Sequence, residues 1–459
     1  MRGARSLLCV CALGGVAGVA LLCSGAGSAG QIAPATCGKL LPPRSGSYLG
    51  AFTDFNTPVA FTEDDVTTEK IDAFRQLVGR PVSWVYFSQH WYKGLAFPRA
   101  NVLTVWRSGA VPYIAFMPSS GAFYGPPPRQ HNPERRFTLQ RILEGRFDGG
   151  LRAWARAARD TNIPILLDFG TEVNDDWGTW NAKWNGADQT DGYGDPAYPD
   201  GAERFRDAYR HLVTLFREEG ATNVTWFFHA DSYAQHEWWN GLLWYYPGDE
   251  YVDWLGISDY GSLTPSGPVV PFGLKLDASR VYTDLTELSA RPAAVVELGV
   301  ADDPAHGKAT WIRRAFAALR SSRYPRIHAA VWWNMRSGGI DTRVDSSPAS
   351  LAAFRAGVAG PFFAARPRFT GNCKPAAPLG VSAGKGRSAG AVVVTWKPVP
   401  NAASYEVLRG RIRIATTVVP RYDDRDVEPG RRYVYAVRAV NLLGRSSLSA
   451  SDVGFRRAR

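Results

Sequence analysis

The sequence has little cysteine, histidine or methionine: 5, 7 and 3 residues in 459. Its histidines form no H-E-x-x-H and no ligand cluster with cysteine, so neither a catalytic zinc nor another metal or cofactor is expected. No G-x-G-x-x-G follows the first strand candidate and no G-x-x-x-x-G-K occurs, which removes the main support for a bound dinucleotide or a P-loop nucleotide. Beyond residue 23, no apolar run approaches the roughly 20 residues of a membrane span. A surface for nucleic acid is missing too, despite a net charge of +11. Residues 374–459 hold 16 Lys and Arg against 6 Asp and Glu, and Arg2 and Arg5 add two more, leaving 35 basic and 36 acidic residues in the long middle. A neutral body is a poor phosphate binder, and the basic tail, with Arg409, Arg411 and Arg413 on alternate positions, reads as a solvated sheet face.

At the N-terminus, Arg2 and Arg5 precede an apolar run from Leu7 to Cys23, with small residues from Ser24 to Gly30. This reads as a cleaved signal peptide over 1–30 and a secreted protein. Lipid anchoring through Cys23 is a minor alternative, because bulky Leu22 stands where a small residue is usual. Cleavage leaves Cys37 and Cys373 only. In an exported chain two cysteines most simply form one disulfide, and the alternative is two separate thiols.

From residue 46 onward, eight β-branched and aromatic runs alternate with amphipathic helical segments. They are Tyr48–Thr53, Val82–Ser88, Pro112–Met117, Pro164–Gly170, Val224–His229, Val252–Ser258, Ala293–Leu298 and His328–Asn334. Thr62-Glu63-Asp64-Asp65 reads as a helix N-cap with an acidic first turn, and Leu139–Ala158 carries a single helical period. Eight such units predict an α/β fold, a (β/α)₈ barrel over 31–365. A Pro-rich linker follows at 366–375. Short alternating runs then predict a small all-β sandwich over 376–459, with strands at Ala391–Trp396, Tyr405–Arg409, Ile412–Val418, Tyr433–Val440 and Ser446–Ser451.

Active-site groups in such a barrel lie at the C-terminal ends of the strands. Glu172 and Glu297 stand out there, each closing an apolar strand. A carboxylate at a buried strand end needs partners or work. Two facing carboxylates are what glycosidic cleavage needs, one to protonate the leaving oxygen and one to attack the anomeric carbon. The plain alternative is two separate glutamates held by Arg or backbone N–H groups. Asp175-Asp176 and Asp249-Glu250 read as solvated or capping acids rather than a cation site.

The stretch Asp168-Phe-Gly-Thr-Glu-Val-Asn-Asp-Asp-Trp-Gly-Thr-Trp-Asn resembles the acid/base strand of family 26 glycoside hydrolases. Trp244-Tyr-Tyr-Pro-Gly-Asp-Glu-Tyr-Val-Asp-Trp-Leu-Gly-Ile-Ser-Asp-Tyr-Gly resembles the same family's strand-six region, Pro292-Ala-Ala-Val-Val-Glu-Leu-Gly its nucleophile strand, and Ala330-Val-Trp-Trp-Asn its eighth strand. The resemblance runs from Gly46 to about Phe362. It implies a retaining endo-β-glycosidase acting on a polysaccharide such as β-mannan or mixed-linkage β-glucan, without a cofactor and as a monomer. Glu172 would be the acid/base and Glu297 the nucleophile, with Tyr260 holding Glu297 ionised. Asn174, Trp177, Trp180 and His229 would line the cleft, and Trp332 or Trp333 would be the sugar platform. Thr171 and Asp168 depart from the pattern, which has His and Arg at those places. A carbohydrate-binding protein that has lost turnover is the alternative reading. The tail, from Pro429 to Ser446 above all, resembles a fibronectin type III module, with Trp396 and Tyr433 at that family's positions.

Overall fold

Eight strands, each parallel to its neighbours, close into a barrel. They are β1 (Tyr48–Thr53), β2 (Trp84–His90), β3 (Val111–Met117), β4 (Ile165–Phe169), β5 (Val224–Asp231), β6 (Trp254–Tyr260), β7 (Ala293–Gly299) and β8 (Ile327–Asn334). Every barrel strand read from the sequence is present, with ends displaced by no more than two residues. The computed structural model describes residues 36–458 except 56–61, 121–133, 233–236, 264–269, 302–306 and 338. The signal peptide read over 1–30, with Cys23, lies outside the described residues. No helix among the described residues is long and apolar enough to cross a membrane.

Aromatic rings pack across the barrel. Trp84, Tyr113, Phe227 and Trp254 form a chain of ring contacts at 6.4, 5.1 and 5.8 Å between centroids, within the range in which aromatic pairs attract. Gly50 on β1 is what lets Trp84 lie across the barrel, since a Cβ there would stand 2.5 Å from the indole nitrogen.

Two helices differ from the sequence reading. The segment 139–158 is broken into Leu139–Leu143 and Asp148–Thr161, because Gly145 takes a left-handed turn between them. The first helix begins at Thr68, capped by Thr67, whose side chain accepts from the Lys70 N–H. Thr62–Asp65 therefore open no helix. They form an irregular connection that carries Glu63 into the barrel mouth.

The short strand Cys37–Leu41 pairs antiparallel with Arg368–Gly371, so part of the stretch read as a linker is a strand. Cys37 and Cys373 form a disulfide with Cα atoms 4.4 Å apart. The tail is a two-sheet sandwich. One sheet is Ser382–Ala383, Val392–Thr395 and Arg421–Asp424; the other joins Ile412–Thr417, Ser404–Arg409, Tyr433–Asn441 and Gly444–Arg445, with Asp452–Gly454 paired to Tyr433–Tyr435. Ser446–Ser451 is not a strand. The hydroxyls of Ser446 and Ser449 accept from the N–H groups of Ala439 and Val437 at 2.9 Å each, and such side-chain bonds compete with a regular ladder. The sandwich is anchored next to the disulfide: Asn401 and Asn441 both donate to the Cys373 carbonyl, at 3.1 and 2.8 Å, and Trp106 of the barrel donates to the Asn401 carbonyl at 2.9 Å.

The disulfide spans 336 residues. Closing so long a loop removes unfolded-state entropy worth on the order of 5 kcal/mol in the chain-entropy model. Mild reduction should therefore lower Tm by several degrees, as read by calorimetry with and without reductant. An unchanged Tm, or two titratable thiols in the native protein, would contradict this.

Candidate active site

β4 ends at Phe169, and the chain turns sharply through Gly170 and Thr171 into Glu172. Gly170 has φ +69°, and a Cβ there would stand 2.5 Å from the Phe205 ring. Glu172 itself is left-handed, at φ +51°. For a residue with a side chain such a conformation costs on the order of 1–3 kcal/mol and persists only where the surroundings impose it. Here they do. The Val173 N–H donates to the His229 carbonyl at 3.0 Å, and Trp180 Nε1 donates to the Thr171 carbonyl at 2.8 Å. Asn181 Nδ2 donates to the Val173 carbonyl at 2.8 Å. Asn174 and Asp231 exchange two bonds, Nδ2 to carbonyl at 2.9 Å and N–H to Oδ1 at 2.7 Å.

This corrects two expectations. Asn174 and Trp180 are 0% and 1% exposed; they pin the Glu172 loop from behind and present no surface to a substrate. Trp177 is half-buried and donates its Nε1 to Glu172 Oε2 at 2.5 Å.

Glu297 lies on β7. The pairing of β6 with β7 slips between Ile257 and Ser258, an irregularity of the kind that re-aims a side chain next to a site. Both oxygens of Glu297 accept from phenols: Oε1 from Tyr86 at 3.0 Å and Oε2 from Tyr260 at 2.6 Å. Tyr260 was read from the sequence, but Tyr86 was not.

The two glutamates face each other. Glu172, Glu297 and His229 each bring an oxygen or nitrogen within 4.8 Å of the others. Burial pushes the Glu172 carboxyl up, with His229 opposing. Burial and then the charge of Glu172 push Glu297 well up, and the phenols of Tyr260 and Tyr86 oppose. The sequence suggested neighbours that would separate the two proton affinities. Instead burial dominates at both, and the pair shares one electrostatic field.

Behind Glu172 lies a fully enclosed polar group. His229, 1% exposed, was expected to line the cleft; it sits in the wall instead. Its Nδ1 is 2.7 Å from Asp168 Oδ2 and 2.9 Å from Thr171 Oγ1, and its Nε2 is 2.8 Å from Ser258 Oγ. Thr171 also donates to Asp168, and Tyr113 donates to the same carboxylate at 3.1 Å. The two departures from the family pattern are thus one unit: Asp168 and Thr171 together hold an imidazole delivered from β5.

Glu63 is the second group that sequence reasoning missed. Its carboxyl accepts from Ser88 Oγ at 2.5 Å. Burial, ahead of the charges of Glu172 and Asp64, pushes it up to about 7. Its charge also bears on Glu297 and Tyr260. The signal available, an acid in the loop after the first strand, was indistinguishable from a helix start.

On β8 the ambiguity between the two tryptophans resolves by face. Trp332 points outward, packed on Phe354 at 5.1 Å with its Nε1 donating to the Thr342 carbonyl. Trp333 points inward, stacked on Phe52 at 4.1 Å and edge-on to Tyr86 at 4.9 Å. Among the described residues, two side-chain groups have metal-ligand spacing, Glu172 with His229 and Glu297, and Glu172 with Asp175 and Asp231. An acid/base site tied by hydrogen bonds produces the same spacing, so no metal is assigned.

Residues 141–304 match the model of glycosyl hydrolase family 26. That span holds Glu172, Tyr260 and Glu297. The chain is 27% identical over 295 residues to endoglucanase H of Acetivibrio thermocellus, covering 63% of this chain and 29% of that protein. It thus spans less than a third of that relative's length. Among solved structures, the catalytic domain of a family 26 endo-β-1,4-mannanase from Bacillus sp. JAMB-750 has 16% identity and a TM-score of 0.50, covering 70% of this chain and 87% of that one. A modular endo-β-1,4-mannanase from Cellulomonas fimi has 16% identity and a TM-score of 0.48, covering 90% and 94%. The structural likeness is one of fold, and the similarity to family 26 glycosyl hydrolases is that of residues 141–304, the part of the barrel that carries both glutamates.

Proposed function

We propose that this chain is a secreted, retaining endo-β-glycosidase, with Glu172 as acid/base and Glu297 as nucleophile. The observation that carries the reading is the approach of their carboxyl oxygens to within 4.8 Å. Retaining enzymes keep the two carboxyl groups about 5–5.5 Å apart, whereas inverting ones leave about 6.5–9.5 Å for a water. Glu297 has both oxygens occupied by phenol donors, an arrangement that favours the ionised form. It attacks the anomeric carbon while Glu172 passes its proton to the leaving oxygen. Glu172, then ionised, takes a proton from water, which hydrolyses the glycosyl ester on Glu297.

Trp333 is the platform for the sugar beside the cleaved bond. A neutral β-glycan is the substrate, with mixed-linkage β-glucan or β-mannan in first place; the name endoglucanase H on the relative at 27% identity favours the glucan. The disulfide supports export, since such bonds persist in oxidising compartments. The tail is read as a fibronectin type III module and a spacer. Its two-sheet order and the Tyr433 hydroxyl, which accepts from the Glu428 N–H at 3.1 Å, support that reading.

Hydrolysis of a panel of soluble β-mannan, mixed-linkage β-glucan and β-xylan tests the function, with sugar release expected from at least one. No release from any of them would leave a carbohydrate-binding protein. Glu297→Ala should abolish turnover of every substrate, because no glycosyl-enzyme can form. Glu172→Ala should lose about 10²–10⁴-fold on polysaccharide, the usual contribution of a general acid. It should still glycosylate from aryl glycosides, and added azide should then yield a β-glycosyl azide. Equal action of Glu172→Ala and the unsubstituted enzyme on polysaccharide would overturn the assignment.

A further inference from the structure

Glu63 is an acid at the barrel mouth that the proposed mechanism leaves unused, yet its loop is built to hold it there. Its backbone is left-handed, at φ +52°, a conformation that persists for a residue with a side chain only where the surroundings impose it. The Ser88 N–H donates to the Glu63 carbonyl at 3.0 Å, and Ser88 Oγ donates to Glu63 Oε2 at 2.5 Å. The Asp65 N–H donates to the Phe55 carbonyl at 3.0 Å, and Asn101 Nδ2 donates to the Asp64 carbonyl at 2.9 Å. Asp64 is paired with Lys93 at 2.7 Å; Glu63 has no such cation among the described residues. The side chain is 9% exposed. Its Oε1 has no hydrogen-bond partner among the described residues and is not sealed into the interior. A carboxylate so poorly hydrated, with one oxygen unpaired, is expensive to keep unless a donor arrives from outside.

The neighbours of Glu63 fix where that donor would come from. Gln89 on β2 faces outward, accepting from Trp154 of the helix Asp148–Thr161 at 3.0 Å. Tyr86 and Ser88 therefore face inward, because side chains alternate along a strand. Tyr86 donates to Glu297, and Ser88, the next inward position toward the mouth, carries Glu63. On the other side of the loop, Phe55 meets Phe52 at 5.8 Å. Phe52 is stacked on Trp333, and Trp333 is edge-on to Tyr86. Glu63 is thus held between the residues that support Glu297 and those that support Trp333. Its charge is felt at Glu172, Glu297 and Tyr260, as befits a group in the same cleft.

We propose that Glu63 is a specificity-determining residue whose carboxyl accepts a hydroxyl of the sugar seated on Trp333, on the glycon side of the cleaved bond. The inference rests on the glycosidase reading of the cleft. An indole face takes the apolar face of a pyranose with little regard to which hydroxyls stand at the ring's edge. A carboxylate oxygen at that edge does discriminate. Its bond to a sugar hydroxyl is charge-assisted, and a ring lacking the hydroxyl leaves the oxygen buried and unpaired. Sites built around such a bond reject the deficient analogue far more strongly than apolar sites reject a change of shape.

The test uses aryl β-cellobiosides and β-mannobiosides, deoxygenated in turn at each free hydroxyl of the ring that bears the aryl group. It compares kcat/KM for the unsubstituted chain, Glu63→Ala and Glu63→Gln. In the unsubstituted chain one deoxygenation should cost about 10²-fold, as an unpaired buried acceptor does. In Glu63→Ala that deoxygenation should cost no more than a few-fold, with the penalties at the other hydroxyls unchanged. Glu63→Gln fits the same space and keeps an acceptor oxygen without the charge. Its penalty at that hydroxyl should lie between the two, and it carries the test if Glu63→Ala does not fold. A merely structural role would lower kcat/KM for every glycoside alike. That pattern in a folded variant, with discrimination at each hydroxyl intact, would overturn the proposal. If the unsubstituted chain hydrolyses none of the glycosides, the glycosidase reading falls. Calorimetric binding of the same series then reads the loss at one hydroxyl, and no such loss there would overturn the role of Glu63 by itself.

Discussion

The carboxyl oxygens of Glu172 and Glu297 come within 4.8 Å of one another at a place where neither side chain is more than a tenth exposed. Two like charges so close and so poorly hydrated cannot both be carried without strong compensation, so one of them keeps a proton. Each neighbour in the site can be understood by how it meets that constraint. Tyr86 and Tyr260 give Glu297 two O–H donors from separate strands. His229, from β5, brings a ring nitrogen within 4.8 Å of Glu172. A proton shared between the pair, able to be given up and taken back, arises here from placing two acids in one dry cleft.

The scaffold is shaped to hold that placement. Glu172 leaves β4 in a left-handed conformation that only a pinned loop sustains, and Trp180, Asn181 and Asn174 do the pinning with buried donors. Gly170 makes room for Phe205 just before it. Glu297 reaches the same point from an irregular pairing of β6 and β7. Far from the chemistry, the disulfide ties the strand before the barrel to the segment after it, and the Cys373 carbonyl holds the sandwich through Asn401 and Asn441.

Much of this was legible in the sequence. Eight apolar runs alternating with helical segments announced the barrel, and the two glutamates were conspicuous because a carboxylate closing an apolar strand is out of place there. What was not legible depended on contacts between distant residues. His229 meets Asp168 across 61 positions, so it looked like one more polar residue at a strand end, and Asp168 like a loss. Tyr86 is an aromatic inside an aromatic strand, and nothing local marks its hydroxyl. Glu63 sat in a run of acids that fits a helix start, while the true cap is Thr67. Ser446–Ser451 had strand-like alternation, but its hydroxyls take the bonds that a ladder would have used.

The central claim is that Glu297 forms the covalent bond to the sugar while Glu172 handles the proton. Incubation with a 2-deoxy-2-fluoro β-glycoside bearing a good leaving group, followed by peptide mapping by mass spectrometry, tests it most directly, because the fluorine slows release of the glycosyl-enzyme more than its formation. The account predicts a single glycosyl adduct on Glu297. An adduct on Glu172, or on any other side chain, would contradict it.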